Sequence, residues 1–190
     1  MIDYASSYQN QVQRVLAALP LDRITQAIEW LAEARAADRQ VFVCGNGGSA
    51  MTASHFVCDM VKGCSYNRPQ RFRITSLNES VSTLTAYSND VAYESVFVEQ
   101  LKNFARPGDV LLALSGSGNS PNVLRAVEYA NQAGLKTIGF TGRDGGRLGP
   151  LAQLQIHVAE PHMGRIEDAH MVACHIIAYY FMDTEQDCHG

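Results

Sequence analysis

His55 and Asp59 are ionisable residues four positions apart, within a segment predicted to be helical from about Ser49 to Lys62. Residues at this spacing lie on the same face of a helix, one turn apart. Their side chains could be two ligands of one metal ion, or an acid and a base above a substrate. An exposed polar helix face would give the same pattern, so the spacing alone leaves these interpretations open.

A second group of ionisable residues falls in the last predicted helix, from about Ile166 past Phe181. Most of this helix is apolar and is predicted to be buried, and buried ionisable groups need partners. Glu167 and His175 are about 12 Å apart along a straight helix, so one metal ion would bind both more easily if they came from two chains. This spacing predicts a site at an oligomer interface, although His175 could equally be a core histidine. The ionisable residues of the helix are Glu167, Asp168, His170 and His175.

Two glycine-rich and serine-rich turns each follow an apolar run and precede a predicted helix. Their sequences are CGNGGS at 44–49 and SGSGNS at 115–120. Glycine lets the backbone approach a ligand closely, free N–H groups at a helix start favour an anion, and serine hydroxyls are neutral donors. Neither turn has the lysine of the nucleotide P-loop or the GxGxxG spacing of dinucleotide sites. The turns therefore predict a phosphate site, with ordinary tight turns as the alternative.

An α/β fold would position these turns and helices. The first 38 residues predict two helices interrupted near Pro20, with Asp22 as a candidate N-cap of the second. After Gln40, strands alternate with helices, which is typical of a doubly wound (flavodoxin-like) parallel five-stranded sheet with helices on both faces. Ligands of such sheets bind beyond the carboxyl ends of the strands. The predicted strands are 40–44, 72–75, 109–114, 135–141 and 154–158.

The composition indicates one globular domain over residues 1–190, with an N-terminal helical extension of about 1–38. Charged residues are 18% of the chain, and the formal net charge of -4 argues against nucleic-acid and anionic membrane partners. No segment approaches the ~20 apolar residues that span a bilayer, and the first residues lack a secretory signal pattern. The five cysteines form no CxxC pair and are expected to be reduced thiols of a cytoplasmic protein, with Cys58 or Cys64 as a less favoured metal ligand.

Taken together, these residues resemble sugar isomerase (SIS) domains, and the whole chain resembles the phosphoheptose isomerase (sedoheptulose 7-phosphate isomerase) family. Besides the two turns, the resemblance rests on Ser88-Asn89-Asp90, on TGRDGG at 141–146 and on Arg165-Ile166, His170 and His175 in the closing helix. It covers nearly the full length. It implies an SIS fold, a homotetramer with sites between subunits, and a cytoplasmic enzyme that feeds heptose into surface polysaccharide such as lipopolysaccharide.

The resemblance also implies roles for individual residues. The implied ligands of zinc, or of another divalent metal, are His55, Asp59, Glu167 and His175. Asp59 stands where the family has its catalytic glutamate, and His175 matches a proposed acid/base, so both are the implied catalytic residues. The residues implied to bind the phosphorylated sugar are Asn46, Gly47, Gly48, Ser49, Asp59, Asn89, Asp90, Ser115, Gly116, Ser117, Ser120 and Glu167, of which those at 115–120 would hold the phosphate.

Three positions depart from the family pattern. Asp59 is one methylene shorter than glutamate, so its carboxylate retreats by roughly 1 Å, enough to impair proton transfer in a rigid site. Glu167 replaces a ligating glutamine, adds a charge and is a better ligand for a hard metal. Gly164 stands where an acidic residue often precedes the Arg-Ile pair. A different substrate, a retuned zinc site or lost catalysis would each account for these changes.

The leading interpretation is an aldose–ketose isomerase that converts sedoheptulose 7-phosphate to D-glycero-D-manno-heptose 7-phosphate through a cis-enediol. Asp59 would be the base and His175 its partner, and a divalent metal would polarise the sugar oxygens. The alternative is a non-catalytic SIS adaptor or regulator that binds a phosphosugar. Related replication-initiation adaptors lose the last-helix histidine, so the retained His175 favours an enzyme. A phosphosugar lyase or etherase is a third interpretation, against which the short chain counts.

Overall fold

A computed structural model describes residues 1–184 and begins with two helices, α1 (Ile2–Ala17) and α2 (Leu21–Ala36). Pro20 is the N-cap of α2, so the prediction that Asp22 caps this helix is wrong. The Pro20 carbonyl already accepts the N–H of Ile24 at 3.0 Å, which sets helical geometry before Asp22. Asp22 lies in the first turn instead, where its negative charge interacts favourably with the positive end of the helix dipole.

Five strands form one parallel sheet in the order β2-β1-β3-β4-β5. The strand β3 lies in the middle and every one of its residues is buried, because helices cover both faces. This order confirms the doubly wound, flavodoxin-like fold that the alternating pattern predicts. The strands are β1 (Gln40–Gly45), β2 (Arg73–Ser76), β3 (Val110–Ser115), β4 (Lys136–Gly142) and β5 (Leu154–Val158).

The remaining helices divide between the two faces of the sheet. They are α3 (Gly48–Cys58), α4 (Val81–Asp90), α5 (Val98–Phe104), α6 (Pro121–Gln132), α7 (Leu148–Leu151) and α8 (Met163–Thr184). One core contains Leu31, Phe56 and Phe181 of α2, α3 and α8, and the other contains Leu101 and Val127 of α5 and α6. The sequence from Tyr93 to Phe104 predicts one helix, but the structure has a 3-10 turn at Tyr93–Ser95 followed by α5.

The chain leaves β1 and β3 toward opposite faces of the sheet. The helix α3 after β1 packs into one core, and the helix α6 after β3 packs into the other. These strands are neighbours, with Gly45 paired with Leu114, so both strands end at the same level. A crevice opens where adjacent strands diverge in this way, and ligands of open α/β sheets bind there. Both predicted anion turns border this crevice.

Helix α8 carries the second group of ionisable residues to the crevice. Its buried residues include Ile166, Ala169, Ala173 and Ile177, at the three-to-four-residue spacing of one helix face. This face packs on the sheet and on α3. The contact places Glu167 beside Gly48 at the start of α3 and His175 beside His55.

Three further predictions concern the C-terminal end, the cysteines and membrane-spanning helices. The last residues of the sequence, 184–190, are expected to form a frayed end. Apart from Thr184, they lie outside the described residues. Cys44, Cys58, Cys64 and Cys174, the cysteines within residues 1–184, are free thiols as predicted. In the same range, each helix is too short or too polar to cross a bilayer.

Candidate active site

The first turn is held in place by an asparagine that follows β2. The side-chain oxygen of Asn78 accepts the N–H of Gly45 at 3.2 Å, and its Nδ2 donates to the carbonyl of Gly45 at 2.8 Å. Beyond this clamp, Gly47 has a φ of +55° and begins α3, a conformation that favours glycine. The N–H groups of Ser49 and Ala50 donate to the carbonyls of Asn46 and Gly47, so the start of α3 closes the turn at the border of the crevice.

Three serine hydroxyls meet in the second turn. The Oγ of Ser115 lies 3.4 Å from that of Ser117 and 3.2 Å from that of Ser120. Ser120 is the N-cap of α6 without a side-chain capping bond, so its hydroxyl is available to an anion at the positive end of the α6 dipole. Hydroxyl donors at a helix start suit a phosphate group, and the phosphate site stays a prediction.

A cleft of about 270 Å³ lies between the two turns. It contains most of the residues implied to bind the sugar phosphate, together with Met163 and Glu167 from the start of α8. Those predicted residues are Asn46, Gly47, Gly48, Ser49, Ser115, Gly116, Ser117, Ser120 and Glu167. A larger open groove of about 800 Å³, near Arg39 and Arg73 at the amino ends of the strands, contains none of them.

His55, Asp59 and His175 form a compact group of possible metal ligands. The Nε2 atoms of the two histidines are 3.0 Å apart, and Asp59 Oδ2 is 3.3 Å from His55 Nε2 and 3.8 Å from His175 Nε2. Tetrahedral zinc with bonds of ~2.0–2.1 Å holds its ligand atoms about 3.3 Å apart. Two imidazoles and a carboxylate at these distances fit such an ion, and neither Cys58 nor Cys64 belongs to the group.

The helix that carries two of these ligands changes its winding at Asp59. After Cys58 the α-helix continues as a π-helical turn over Asp59–Gly63. Such widened turns are rare and often lie at functional sites. The side chains of His55, His175 and Asp59 are 49%, 40% and 21% exposed, so a substrate or a partner chain can reach the group.

Glu167 lies apart from the other three predicted metal ligands. Its carboxylate packs against Gly48 at the start of α3, so closely that a side chain at 48 would collide with it. The positive end of the α3 dipole favours a negative charge there. Within residues 1–184, the possible metal-ligand atoms that all lie within 4.8 Å of one another belong to His55, Asp59 and His175. Glu167 is not part of this group.

Asn89 and Asp90 do not line the cleft. Both are exposed in the last turn of α4, where Asn89 Nδ2 donates to Asp90 Oδ1 at 2.7 Å. Tyr93, three residues further on, does reach the site, because its hydroxyl donates to Asn46 Oδ1 at 2.8 Å. Tyr93, Asn78 and Asn122 also contact the predicted turns, although no sequence motif marks them as site residues. Asn78 lies just after a strand and Asn122 lies in the first turn of a helix, and a polar residue at such a position is the signal that could have pointed to them.

His170 is a buried structural residue of α8. Its Nε2 lies 3.1 Å from the carbonyl oxygen of Thr141 at the end of β4, and its ring meets Phe140 edge-on. Burial lowers the pKa of His170 to about 4, so the ring is neutral at pH 7 and its Nε2–H donates to Thr141. This bond fixes α8 to the sheet near the crevice.

Helix α1 covers the start of α8 at the position of Gly164. The hydroxyl of Tyr8 donates to Asp168 Oδ2 at 2.9 Å, and a Cβ at 164 would lie 3.1 Å from that hydroxyl. Arg165 pairs with Glu160 at 2.6 Å and holds the pKa of that carboxyl below its usual range. The absence of a side chain at Gly164 leaves room for Tyr8.

The doubly wound fold and the two turns are the features expected of an SIS domain, and comparison with known proteins gives the same class. The SIS domain family model matches residues 3–142. The chain is 39% identical to a phosphoheptose isomerase of Desulfovibrio desulfuricans over 149 residues, which are 76% of this chain and 70% of that protein. It is 34% identical to a phosphoheptose isomerase of Azoarcus sp. over 183 residues, which are 93% of this chain and 92% of that protein.

A solved structure gives the same assignment. The phosphoheptose isomerase of Francisella tularensis matches with a TM-score of 0.88 and 29% identity, covering 97% of this chain and 98% of that one. The chain therefore belongs to the SIS domain family and, within it, to the phosphoheptose isomerases. This membership confirms the family resemblance and the prediction of an isomerase enzyme.

Proposed function

We propose that this enzyme interconverts sedoheptulose 7-phosphate and D-glycero-D-manno-heptose 7-phosphate through a cis-enediol. The observation that supports the proposal most is the group of His55, Asp59 and His175 on helices that also border the hydroxyl-lined cleft. A phosphate anchor and a group able to move protons are the two parts that an aldose–ketose isomerase needs. The names of the related proteins support the heptose substrate.

The phosphate would bind to the second turn. The hydroxyls of Ser115, Ser117 and Ser120 would donate to its oxygens, and the N–H of Gly116 and the positive end of the α6 dipole would add to their attraction. The turn carries no lysine or arginine, so neutral donors hold the dianion. The other end of the sugar then extends toward the first turn, where Asn46, Gly47, Gly48 and Ser49 contact its oxygens.

Asp59 would be the base and His175 its partner. The carboxylate of Asp59 removes the proton from the carbon next to the carbonyl and returns it to the neighbouring carbon, while His175 moves the hydroxyl proton between the two oxygens. Their side chains are 3.8 Å apart in this chain, so both can face one substrate. Zinc or another divalent metal on His55, Asp59 and His175 would polarise the carbonyl and enediolate oxygens.

We further propose a cytoplasmic homotetramer whose sites lie between subunits. Glu167 would then complete the metal site or contact the sugar at a partner's group, because it lies apart from the group of its own chain. Asn89 and Asp90, exposed on α4, would likewise contact the sugar of a neighbouring site. The exposure of His55 and His175 leaves room for this arrangement.

Conversion of sedoheptulose 7-phosphate by purified protein tests the proposal. The protein is stripped of metal with a chelator, assayed, restored with zinc and assayed again. We expect conversion with zinc and little without it. Binding of the phosphosugar without conversion in either state would refute the catalytic proposal and support the non-catalytic phosphosugar-binding module instead.

A further inference from the structure

A buried asparagine of α6 reaches across the crevice to the first turn. Asn122, which is 1% exposed, lies in the first turn of α6. Its Nδ2 donates to Asn46 Oδ1 at 2.9 Å, and its Oδ1 accepts from Asn46 Nδ2 at 2.8 Å. The two carboxamides thus form a reciprocal pair that joins the two anion turns. Tyr93 adds a third contact, since its hydroxyl donates to Asn46 Oδ1 at 2.8 Å.

The backbone fixes which way this pair is oriented. The N–H of Val123 is among the first amides of α6, which have no acceptor within the helix, and it donates to Asn122 Oδ1 at 3.0 Å. A flipped Asn122 would turn its NH₂ group toward this N–H, and two donors would face each other. The oxygen of Asn122 therefore stays beside Val123, and the reciprocal pairing then fixes the oxygen of Asn46 toward the Asn122 Nδ2.

This orientation determines what Asn46 can offer a ligand. Its oxygen accepts two hydrogen bonds, from Asn122 and Tyr93, which use both lone pairs. Its nitrogen has two hydrogens, and one of them binds Asn122. Asn46 borders the cleft, so the polar group that remains for a ligand is a single N–H donor.

We propose that Asn122, assisted by Tyr93, is a positioning residue that keeps Asn46 as a fixed hydrogen-bond donor to a sugar oxygen that becomes negatively charged during isomerisation. The inference rests on the proposed function. A donor whose orientation is set before the reaction stabilises an enediolate oxygen more than the neutral oxygen of the substrate, so it raises turnover more than affinity. A freely rotating Asn46 would offer its oxygen as often as its N–H, and an acceptor would oppose the developing charge.

The test compares Asn122→Ala, Asn122→Asp and Tyr93→Phe in the zinc-loaded protein with sedoheptulose 7-phosphate. Asn122→Asp keeps the shape and the acceptor for Val123 but places a second oxygen against Asn46 Oδ1. We expect kcat to fall about tenfold to hundredfold in both Asn122 variants and about threefold to tenfold in Tyr93→Phe. KM, and the dissociation constant of the carbonyl-free heptitol 7-phosphate, should change less than about threefold, because neither depends on enediolate charge.

Asn131→Ala is the matched control. Asn131 lies on the same helix with both ends of its carboxamide hydrogen-bonded, to Leu151 and Thr137, but far from the crevice. Its loss is expected to lower the melting temperature and leave kcat unchanged. A general loss of packing in α6 would lower kcat in this variant too, so the control separates positioning from stability.

The outcomes separate this inference from the proposed function. If the wild-type protein turns over and the folded variants Asn122→Asp and Tyr93→Phe keep its kcat, the positioning role is wrong and the proposed function stands. A rise of KM and of the heptitol phosphate dissociation constant with unchanged kcat would also refute it, because Asn122 would then serve binding alone. A zinc-loaded wild type without turnover would refute both.

Discussion

The serine hydroxyls of the second turn would bind the phosphate, a part of the proposed substrate that does not react. Ser115, Ser117 and Ser120 would hold the phosphate equally in the substrate and in the transition state, whereas Asp59 and His175 would act on the carbons that exchange a proton. Interactions that are equal in both states change KM, and those made only in the transition state change kcat. The two sets of residues therefore predict different kinetic consequences.

Ser120→Ala is expected to raise KM for the sugar phosphate about tenfold, because a hydrogen bond to a charged group is lost. Its kcat should stay within about threefold of the wild type, since the phosphate does not react. Steady-state kinetics with zinc present measures both values. Ser6→Ala, at an exposed position of α1, is the control and should change neither. A tenfold loss of kcat with unchanged KM would place Ser120 in the chemical step instead.

Alanine substitutions at Gly45 and Gly48 of the first turn are expected to have different effects. The three atoms nearest to a Cβ at Gly48 belong to the flexible carboxylate of Glu167. Gly48→Ala should therefore fold with a melting temperature near that of the wild type but displace Glu167 and lower activity. A Cβ at Gly45 would lie 2.8 Å from backbone atoms of Ser49, which cannot move without distorting α3. Gly45→Ala should therefore lose stability. Thermal melting and activity assays compare the two, and an active Gly48→Ala would contradict a role for the position of Glu167.

At the scale of elements, helix α8 has a structural histidine and a histidine for which we propose a catalytic role. His170 bonds to Thr141 at the end of β4, and His175 lies five residues along beside His55. The residue pattern alone could not separate them, since both are histidines in an apolar helix, and it was the family resemblance that singled out His175. Burial separates them, because His170 is 1% exposed, while the side chain of His175 is 40% exposed.

The buried His170 predicts an acid-dependent loss of stability. Its pKa is lowered from 6.5 to about 4, so the unfolded chain binds a proton that the folded chain does not between these values. Its contribution to stability is therefore complete above pH 6.5 and decreases as the pH falls toward 4. Between pH 7 and pH 5 the loss should be about 2 kcal/mol.

Denaturant unfolding of the wild type and of His170→Asn at several pH values measures this contribution. The free energy of unfolding should depend less steeply on pH in the variant, by about 2 kcal/mol between pH 7 and pH 5. The other titrating groups are the same in both proteins and cancel in the difference. Equal pH dependence in the two proteins would show that His170 titrates normally in the folded state.

At the scale of the whole molecule, the fold class could be predicted better than the site. Strands such as β3 are apolar runs that alternate with helical patterns, and this pattern suffices for a doubly wound sheet. The sequence also pointed to the turns, because Gly47 and the serines mark them. It did not reveal the clamp of Asn78, or the π-helical turn at Asp59, because both depend on contacts between distant segments or on small changes of winding.

The proposed homotetramer predicts complementation between inactive variants. Asp59→Asn and Glu167→Ala should each be inactive alone. If Glu167 serves the site of a partner, randomly mixed tetramers contain sites with both residues intact, at about one quarter of all sites. Co-expression of differently tagged chains, tandem purification and an isomerase assay measure this recovery. No recovery in mixed tetramers would show that both residues serve the same chain's site.

The kcat of zinc-loaded Asp59→Asn with sedoheptulose 7-phosphate, relative to the control Asp22→Asn, tests the central claim most directly. Asp22 lies in the first turn of α2, outside the proposed site, so its variant should retain wild-type turnover. We expect Asp59→Asn to lose about 10²-fold to 10⁴-fold of kcat, the usual contribution of a general base, with its melting temperature retained. Equal kcat values in the two variants would show that Asp59 is not the base and that the group at His55 and His175 is not the isomerase centre.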